Sequence, residues 1–308
     1  MKRAIVFISL SLLLLPIYAA DPGTASAAFL KIVPDARYVG MGEAGVALAT
    51  DANATYWNPA GLGLLGKAES PKADIAFSHN EWLDDIRIEY LAGAYRLGEI
   101  GTFGLAATYL TMGDIQGYDE QGNPTSMFTS SDMVGNLSYG REIVYGFSGG
   151  VTLKYLQQKI ENESADTFTG GVGLRYDPDW LKGLSIAASG SELFGEAKFV
   201  SEADPMPQII RSGIAYTLPI NQMNRITGAV DYVQALDMSG RVNSGVEYVW
   251  NEMLALRVGY KAGYDLFGLT AGLGLAHNFG ALHARLDYGF GASSEFGDVH
   301  RISAGVGF

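Results

Sequence analysis

From Leu282 to Phe290 every second residue is apolar: Leu282, Ala284, Leu286, Tyr288 and Phe290 alternate with His283, Arg285, Asp287 and Gly289. Successive side chains of an extended strand point to opposite faces, so this period makes one greasy face and one polar face. The same period runs through Val246, Tyr248 and Trp250, through Leu254, Leu256, Val258 and Tyr260, and through Ile302, Ala304, Val306 and Phe308. From about residue 72 onward the chain therefore reads as sheet, not helix.

A soluble sandwich alternates too, so the content of the two faces must decide. Arg211, Asp231, Glu247, Arg257, Arg285 and Asp287 sit mid-strand among Gly, Ala and Ser. Opposite charges among small residues suit the polar lumen of a barrel whose other face meets lipid. Trp82, Tyr109, Tyr155, Trp180 and Trp250 fall near strand ends, where interfacial aromatic girdles are expected. The last strand closes on the aromatic Phe308. The segments read as strands are 72–81, 84–97, 100–113, 129–142, 144–158, 166–177, 182–191, 207–218, 223–235, 239–250, 252–263, 266–278, 280–291 and 297–308. An even number of strands, each long enough to cross a bilayer when tilted, fits a single-chain outer-membrane barrel. Tight connections at Gly98-Glu99, Ile143, Asn251 and Phe279 alternate with long ones at 114–128, 159–165 and 192–206. Short turns on one side and long loops on the other place the long side outside the cell. The reading is an all-β membrane protein: a 14-stranded antiparallel outer-membrane β-barrel over residues 71–308 with a small, partly helical N-terminal hatch.

The N-terminus supports export. Lys2 and Arg3 precede an apolar run from Ala4 to Leu15, which Pro16 ends before Ala19 and Ala20. Residues 1–20 read as a cleavable signal peptide, too short to span as an anchor. Cys is absent, which removes disulfides, thiolate catalysis and lipidation at an N-terminal Cys. The net charge of −12 argues against nucleic acid and against attraction to anionic headgroups.

Residues 21–70 lack the two-residue period. Asp35 to Ala49 is helix-compatible but glycine-rich, and Asn58-Pro59-Ala60-Gly61 is turn chemistry. A 14-strand barrel is wider than its own side chains can fill, so this segment is expected inside it as a plug. Gly40-Met41-Gly42-Glu43-Ala44-Gly45 matches a dinucleotide-binding pattern, but without the flanking strand and βαβ unit that give the pattern meaning. Close backbone packing inside the barrel is the better reading. His79, His277, His283 and His300 lack metal-ligand spacing, and no local signature sets a Ser beside a His. No metal, cofactor or enzymatic activity is expected.

The acidic stretches 114–128 and 192–206 read as hydrated outer loops. Loops on a rigid scaffold carry recognition, so Asp114, Asp119, Glu120, Glu196, Phe199 and Glu202 are the recognition candidates.

At Ala27-Ala28-Phe29-Leu30-Lys31-Ile32, Asp35-Ala36-Arg37, Gly40-Met41-Gly42, Asp51 and Asn58-Pro59-Ala60-Gly61-Leu62 the chain resembles the PorV/PorQ family of outer-membrane barrels. Ala229-Val230-Asp231-Tyr232, Gly245-Val246-Glu247-Tyr248, Ala255-Leu256-Arg257-Val258-Gly259-Tyr260, Asp287-Tyr288 and His300-Arg301-Ile302-Ser303 extend the resemblance downstream. It implies the FadL-like fold, with Asn58-Pro59-Ala60 similar to the hatch element of those channels. It implies two functions that the residues alone leave open. One is type IX protein secretion, with secreted cargo proteins and other secretion components as partners. The other is a FadL-like channel for apolar small molecules. Outer-membrane lipid surrounds the barrel in either.

Overall fold

The computed structural model describes residues 23–67, 70–83, 85–293 and 297–308. The segment read as a signal peptide lies outside the described residues. The strands are β1 (Ala73–Glu81), β2 (Arg87–Leu97), β3 (Gly101–Thr111), β4 (Ile115–Tyr118), β5 (Pro124–Phe128), β6 (Ser130–Val144), β7 (Phe147–Ile160), β8 (Glu163–Tyr176) and β9 (Leu184–Ser191). They continue as β10 (Glu196–Lys198), β11 (Ala203–Pro205), β12 (Ile209–Pro219), β13 (Arg225–Ala235), β14 (Arg241–Trp250), β15 (Leu254–Ala262), β16 (Phe267–Phe279), β17 (Leu282–Ser293) and β18 (Val299–Gly307). Fourteen of them form one closed antiparallel barrel in sequence order, sealed where β1 pairs with β18 from Asp74 opposite Gly307 to Glu81 opposite His300. Closure leaves no open edge, which a β-protein in lipid requires.

The period of two decides the faces. On β1, Ile75 and Phe77 are about half exposed while Asp74, Ala76 and Ser78 beside and between them are buried. The outward set is Leu, Ile, Val, Phe and Tyr on strand after strand, for example Leu91, Leu137, Val258, Leu273 and Leu286. In lipid those side chains are solvated, so the exposure is a membrane surface. Tyr109, Trp180 and Trp250 are exposed on it, and Tyr155 faces out against Phe168 at a ring distance of 5.1 Å. Trp82 is different. It packs on the apolar cluster over the hatch, with Phe267 at 5.3 Å and the Arg301 guanidinium 4.8 Å from its ring, and so is no girdle residue.

Connections differ between the two ends. One end has short turns, among them Tyr145-Gly146, Asn251 to Met253 and Gly280-Ala281. The expected turn at Ile143 is displaced: Ile143 still lies in β6, and the reversal occurs at Tyr145 and Gly146, both with positive φ. A turn with both central residues left-handed matches the twist of the flanking strands, and Gly146 takes it without cost. The other end carries the long connections, with one correction. The expected loop 159–165 is only Glu161-Asn162, because β7 and β8 pair outward to Ile160 opposite Glu163. The other two long connections are not irregular either. Each contains a small hairpin, β4–β5 and β10–β11. Short polar strands carry too weak an alternation to read from sequence.

The hatch threads the lumen from the loop end to the turn end. A 3-10 turn (Ala28–Lys31) lies under the loop-end cluster, helix α1 (Ala36–Gly40) crosses the middle, and helix α2 (Ala54–Trp57) leads into a second 3-10 turn (Pro59–Leu64) near the short turns. Regular helix is shorter than Asp35 to Ala49 suggested, since Gly42 at φ +66 turns the chain after one and a half turns.

Candidate functional site

The hatch meets the wall backbone to backbone. Wall glycines make this possible. A Cβ at Gly150 would lie 2.4 Å from the Pro59 carbonyl carbon, and one at Gly259 would lie 2.0 Å from the Gly42 nitrogen. Gly40, Gly42 and Gly45 are packed the same way against Gly272, Ser244 with Tyr260, and the Trp57 ring. The Gly-rich run of the hatch is therefore a packing motif, with no room left for a nucleotide.

Asn58 is fully buried and joins hatch to wall. Its Oδ1 accepts from Ala60 N at 3.0 Å, and its Nδ2 donates to the Leu174 carbonyl of β8 at 3.1 Å. Pro59 follows at the first position of the 3-10 turn, where its missing N–H has no partner to lose. Ala60 and Gly61 are buried behind it, and a Cβ at Gly61 would lie on the Ala49 carbonyl oxygen at 2.0 Å.

Four of the six lumen charges form ion pairs, and the other two, Asp231 and Arg211, hold the hatch directly. Glu247 of β14 accepts from Arg257 Nε of β15 at 2.6 Å and from Arg37 of α1 through Nε and Nη2 at 3.2 and 3.1 Å. Arg257 reaches on to Asp287 of β17 at 2.6 Å. Arg285 bonds Asp74 of β1 at 2.6 and 2.8 Å and lies 3.3 Å from Asp51 of the hatch. Asp231 of β13 pairs with no cation among the described residues. Its Oδ2 accepts from Gly45 N at 2.7 Å and Val46 N at 2.9 Å, so it holds hatch backbone. Arg211 stacks on Tyr56 and Trp57 of the hatch at 5.5 Å from each ring. Each of the six thus faces the lumen and touches either the hatch or a residue that does.

Further lumen groups work alike and were missed in the sequence. Lys261 pairs with Glu43 at 2.7 Å, Lys154 with Glu192 at 2.5 Å, and Arg175 donates to the Ala47 carbonyl at 2.6 Å. Lys154, Arg175 and Lys261 occupy inward positions of alternating strands, so the same signal could have found them. Glu43, Arg37 and Asp51 had no such marker, because the hatch has no period to read.

The outer candidates divide. Asp114, Asp119, Glu120, Glu196 and Glu202 are exposed, as expected of hydrated loops. Asp119 is nevertheless occupied: its carboxylate accepts from Asn123 Nδ2 at 3.0 Å, Asn123 N at 2.8 Å and Gln121 N at 3.0 Å, closing the β4–β5 turn. These bonds, the Asn123 side chain first, hold the carboxyl below the ordinary carboxylate range. Phe199 is half-buried against the cluster of Phe29, Leu30, Ala197 and Met206 that covers the hatch. The segment 192–206 thus covers the hatch through Ala197, Phe199 and Met206, while its other charged side chains besides Glu192 stay exposed. Its Glu192 is buried, and its Pro205 carbonyl accepts from Ser26 N at 3.0 Å.

The family model described as "Type IX secretion system protein PorV" matches residues 20–239. No curated protein matches the sequence. Among solved structures, the Pseudomonas putida toluene transporter TodX has a TM-score of 0.58 at 12% identity, over 94% of this chain and 98% of its own. The CymD monoaromatic hydrocarbon channel has a TM-score of 0.55 at 12% identity, over 89% and 96%. A Pseudomonas aeruginosa FadL homologue has a TM-score of 0.50 at 8% identity, over 89% and 97%. At such identities the likeness is one of fold: a closed barrel of the FadL type, integral to the outer membrane.

Proposed function

The chain belongs to the PorV family of type IX secretion system proteins, and from that premise we propose that this outer-membrane barrel handles exported cargo proteins at the cell surface. The role is one of binding, without catalysis. The hatch is the observation that supports the reading. It is tied to the outer loop by Ser26 to Pro205 and to the wall by Arg37 to Glu247, Gly45 and Val46 to Asp231, and Asn58 to Leu174. A lumen so filled suits a rigid scaffold that presents its outer face to a partner. On that face the exposed hairpin β4–β5 carries Tyr118, Met127, Asp114 and Glu120. Secreted proteins and other secretion components are the partners this role requires, and lipid contacts the apolar outer wall.

A second reading, an apolar-solute channel, has one specific support: the similar solved structures include hydrocarbon channels. The charged, ion-paired lumen counts against a greasy path through it. Mass spectrometry of what co-purifies after gentle detergent extraction tests both. Secreted proteins sharing a C-terminal domain are expected, and they should disappear when residues 114–128 are deleted. That deletion is clean, because Met112 N already bonds the Ser130 carbonyl at 3.1 Å across its base. Bound apolar molecules with no protein partner would overturn the secretion reading.

A further inference from the structure

Positive charge gathers at the loop end of the lumen, although the whole chain is acidic. Lys31 of the hatch, Arg211 of β12, Arg241 of β14, Lys261 of β15 and Arg301 of β18 meet there. Two are matched: Lys31 lies 2.6 Å from Asp237, and Lys261 lies 2.7 Å from Glu43. Three are not. Among the described residues no hydrogen bond or ion pair reaches the side chain of Arg211, Arg241 or Arg301, and Arg241 Nε and Arg301 Nε and Nη2 are buried without a partner. Each guanidinium lies over an aromatic ring instead: Arg211 over Tyr56 and Trp57, Arg241 over Tyr264 at 4.2 Å, Arg301 over Trp82 at 4.8 Å. A ring face attracts a cation but accepts none of its N–H groups in the plane.

Arg211, Arg241, Lys31, Glu43, Trp57 and Tyr264 line one cavity of about 50 Å³ between hatch and wall. That is room for a few waters or one oxyanion. Arg211 is 5% exposed, and the Trp57 Nε1 on the same wall is buried without an acceptor. Guanidinium and indole only donate, so whatever satisfies them must accept, and with the one lining carboxylate, Glu43, already paired to Lys261, the two unmatched cations favour a negative acceptor. We infer that this cavity is a binding site for an oxyanion, a carboxylate or phosphate group, held between Arg211 and Arg241. Guanidiniums suit such groups because their paired N–H vectors match two oxygens at once. Ile209, Val233 and Met238 add apolar wall beside the charges. The oxyanion is therefore either a free ion or the head of a larger acid whose tail lies on that wall. The site is independent of the secretion reading, since it uses neither the outer hairpin nor a cargo.

Calorimetric titration of the full-length barrel in a non-ionic detergent tests this, with inorganic phosphate, acetate, octanoate and octanol as probes. Saturable binding of at least one anion is expected, weakened about tenfold in R241Q and in R211Q, the loss of one charge-assisted hydrogen bond. Heat-modifiable gel mobility checks that each variant is folded. R241Q, at the rim, serves if R211Q is not. D237N should instead tighten binding several-fold, because it releases Lys31 beside the cavity; no misfolded barrel would do that. Octanoate binding more tightly than acetate identifies the head of an apolar acid. Equal affinities identify a free ion. The inference is overturned if no anion saturates, if octanol binds as tightly as octanoate, if R241Q and R211Q bind like the wild type, or if D237N fails to tighten binding.

Discussion

Glu247 shows how single residues hold this molecule together. One buried carboxylate takes Arg37 from the hatch and Arg257 from the wall. Glu247→Gln takes the shared carboxylate from the buried Arg257, which keeps Asp287, and from Arg37, whose side chain is only part-buried. Loss of a partner from a fully buried pair costs about 3–5 kcal/mol, so a smaller penalty is expected here. The expected outcome is a released hatch, seen as fast amide exchange at residues 36–47, with the barrel still heat-modifiable on gels. Gly173 makes a sharper test of Asn58. A Cβ there would sit 1.9 Å from Asn58 Oδ1, whereas one at Gly135 meets nothing within 4 Å. Gly173→Ala should therefore make hatch residues 54–64 sensitive to protease, and Gly135→Ala should not. Neither difference was legible in the sequence, where both are glycines on alternating strands. The inward direction of Glu247 was legible, because period two sets direction; its partner Arg37 was not, because the hatch lacks that period.

Strand length decides how much of each element shows in the sequence. All fourteen barrel strands lie within a few residues of the segments that alternation marked, since eight or more residues repeat the signal several times. β10 and β11, of three residues each, cannot repeat it, so the part of their loop that covers Phe29 and Leu30 leaves no pattern in the sequence. The same holds for β4–β5, whose turn rests on Asp119. Its carboxyl is depressed in the folded hairpin, so its contribution is present above the ordinary carboxylate range and is lost as pH falls through the lower, folded value. Protection of the Gln121 and Asn123 amides, taken relative to their intrinsic exchange rates at each pH, should fall on acidification, while Asp119→Ala should leave them unprotected at every pH. An unchanged wild type at low pH would show that the turn stands without Asp119.

At the scale of the whole molecule, barrel and hatch are built by different rules. The wall closes on itself through strand pairing alone, with β1 against β18. Deleting residues 24–66 should therefore leave a folded, heat-modifiable barrel, but one whose lumen is filled by water and unpaired charge. A large rise in ion conductance across planar bilayers is the expected result; a silent barrel would mean that the wall collapses without its plug. The sequence by itself determined the membrane class, the strand number, and which side chains face lipid or lumen. A two-residue period is a local property that survives without knowledge of the partner strand. Tertiary structure alone decided which charges meet. Arg37 and Glu247 are 210 residues apart, and Arg285 and Asp74 are 211 apart. Such pairs exist only because a closed ring brings distant strands around one short segment, and no local pattern records that meeting.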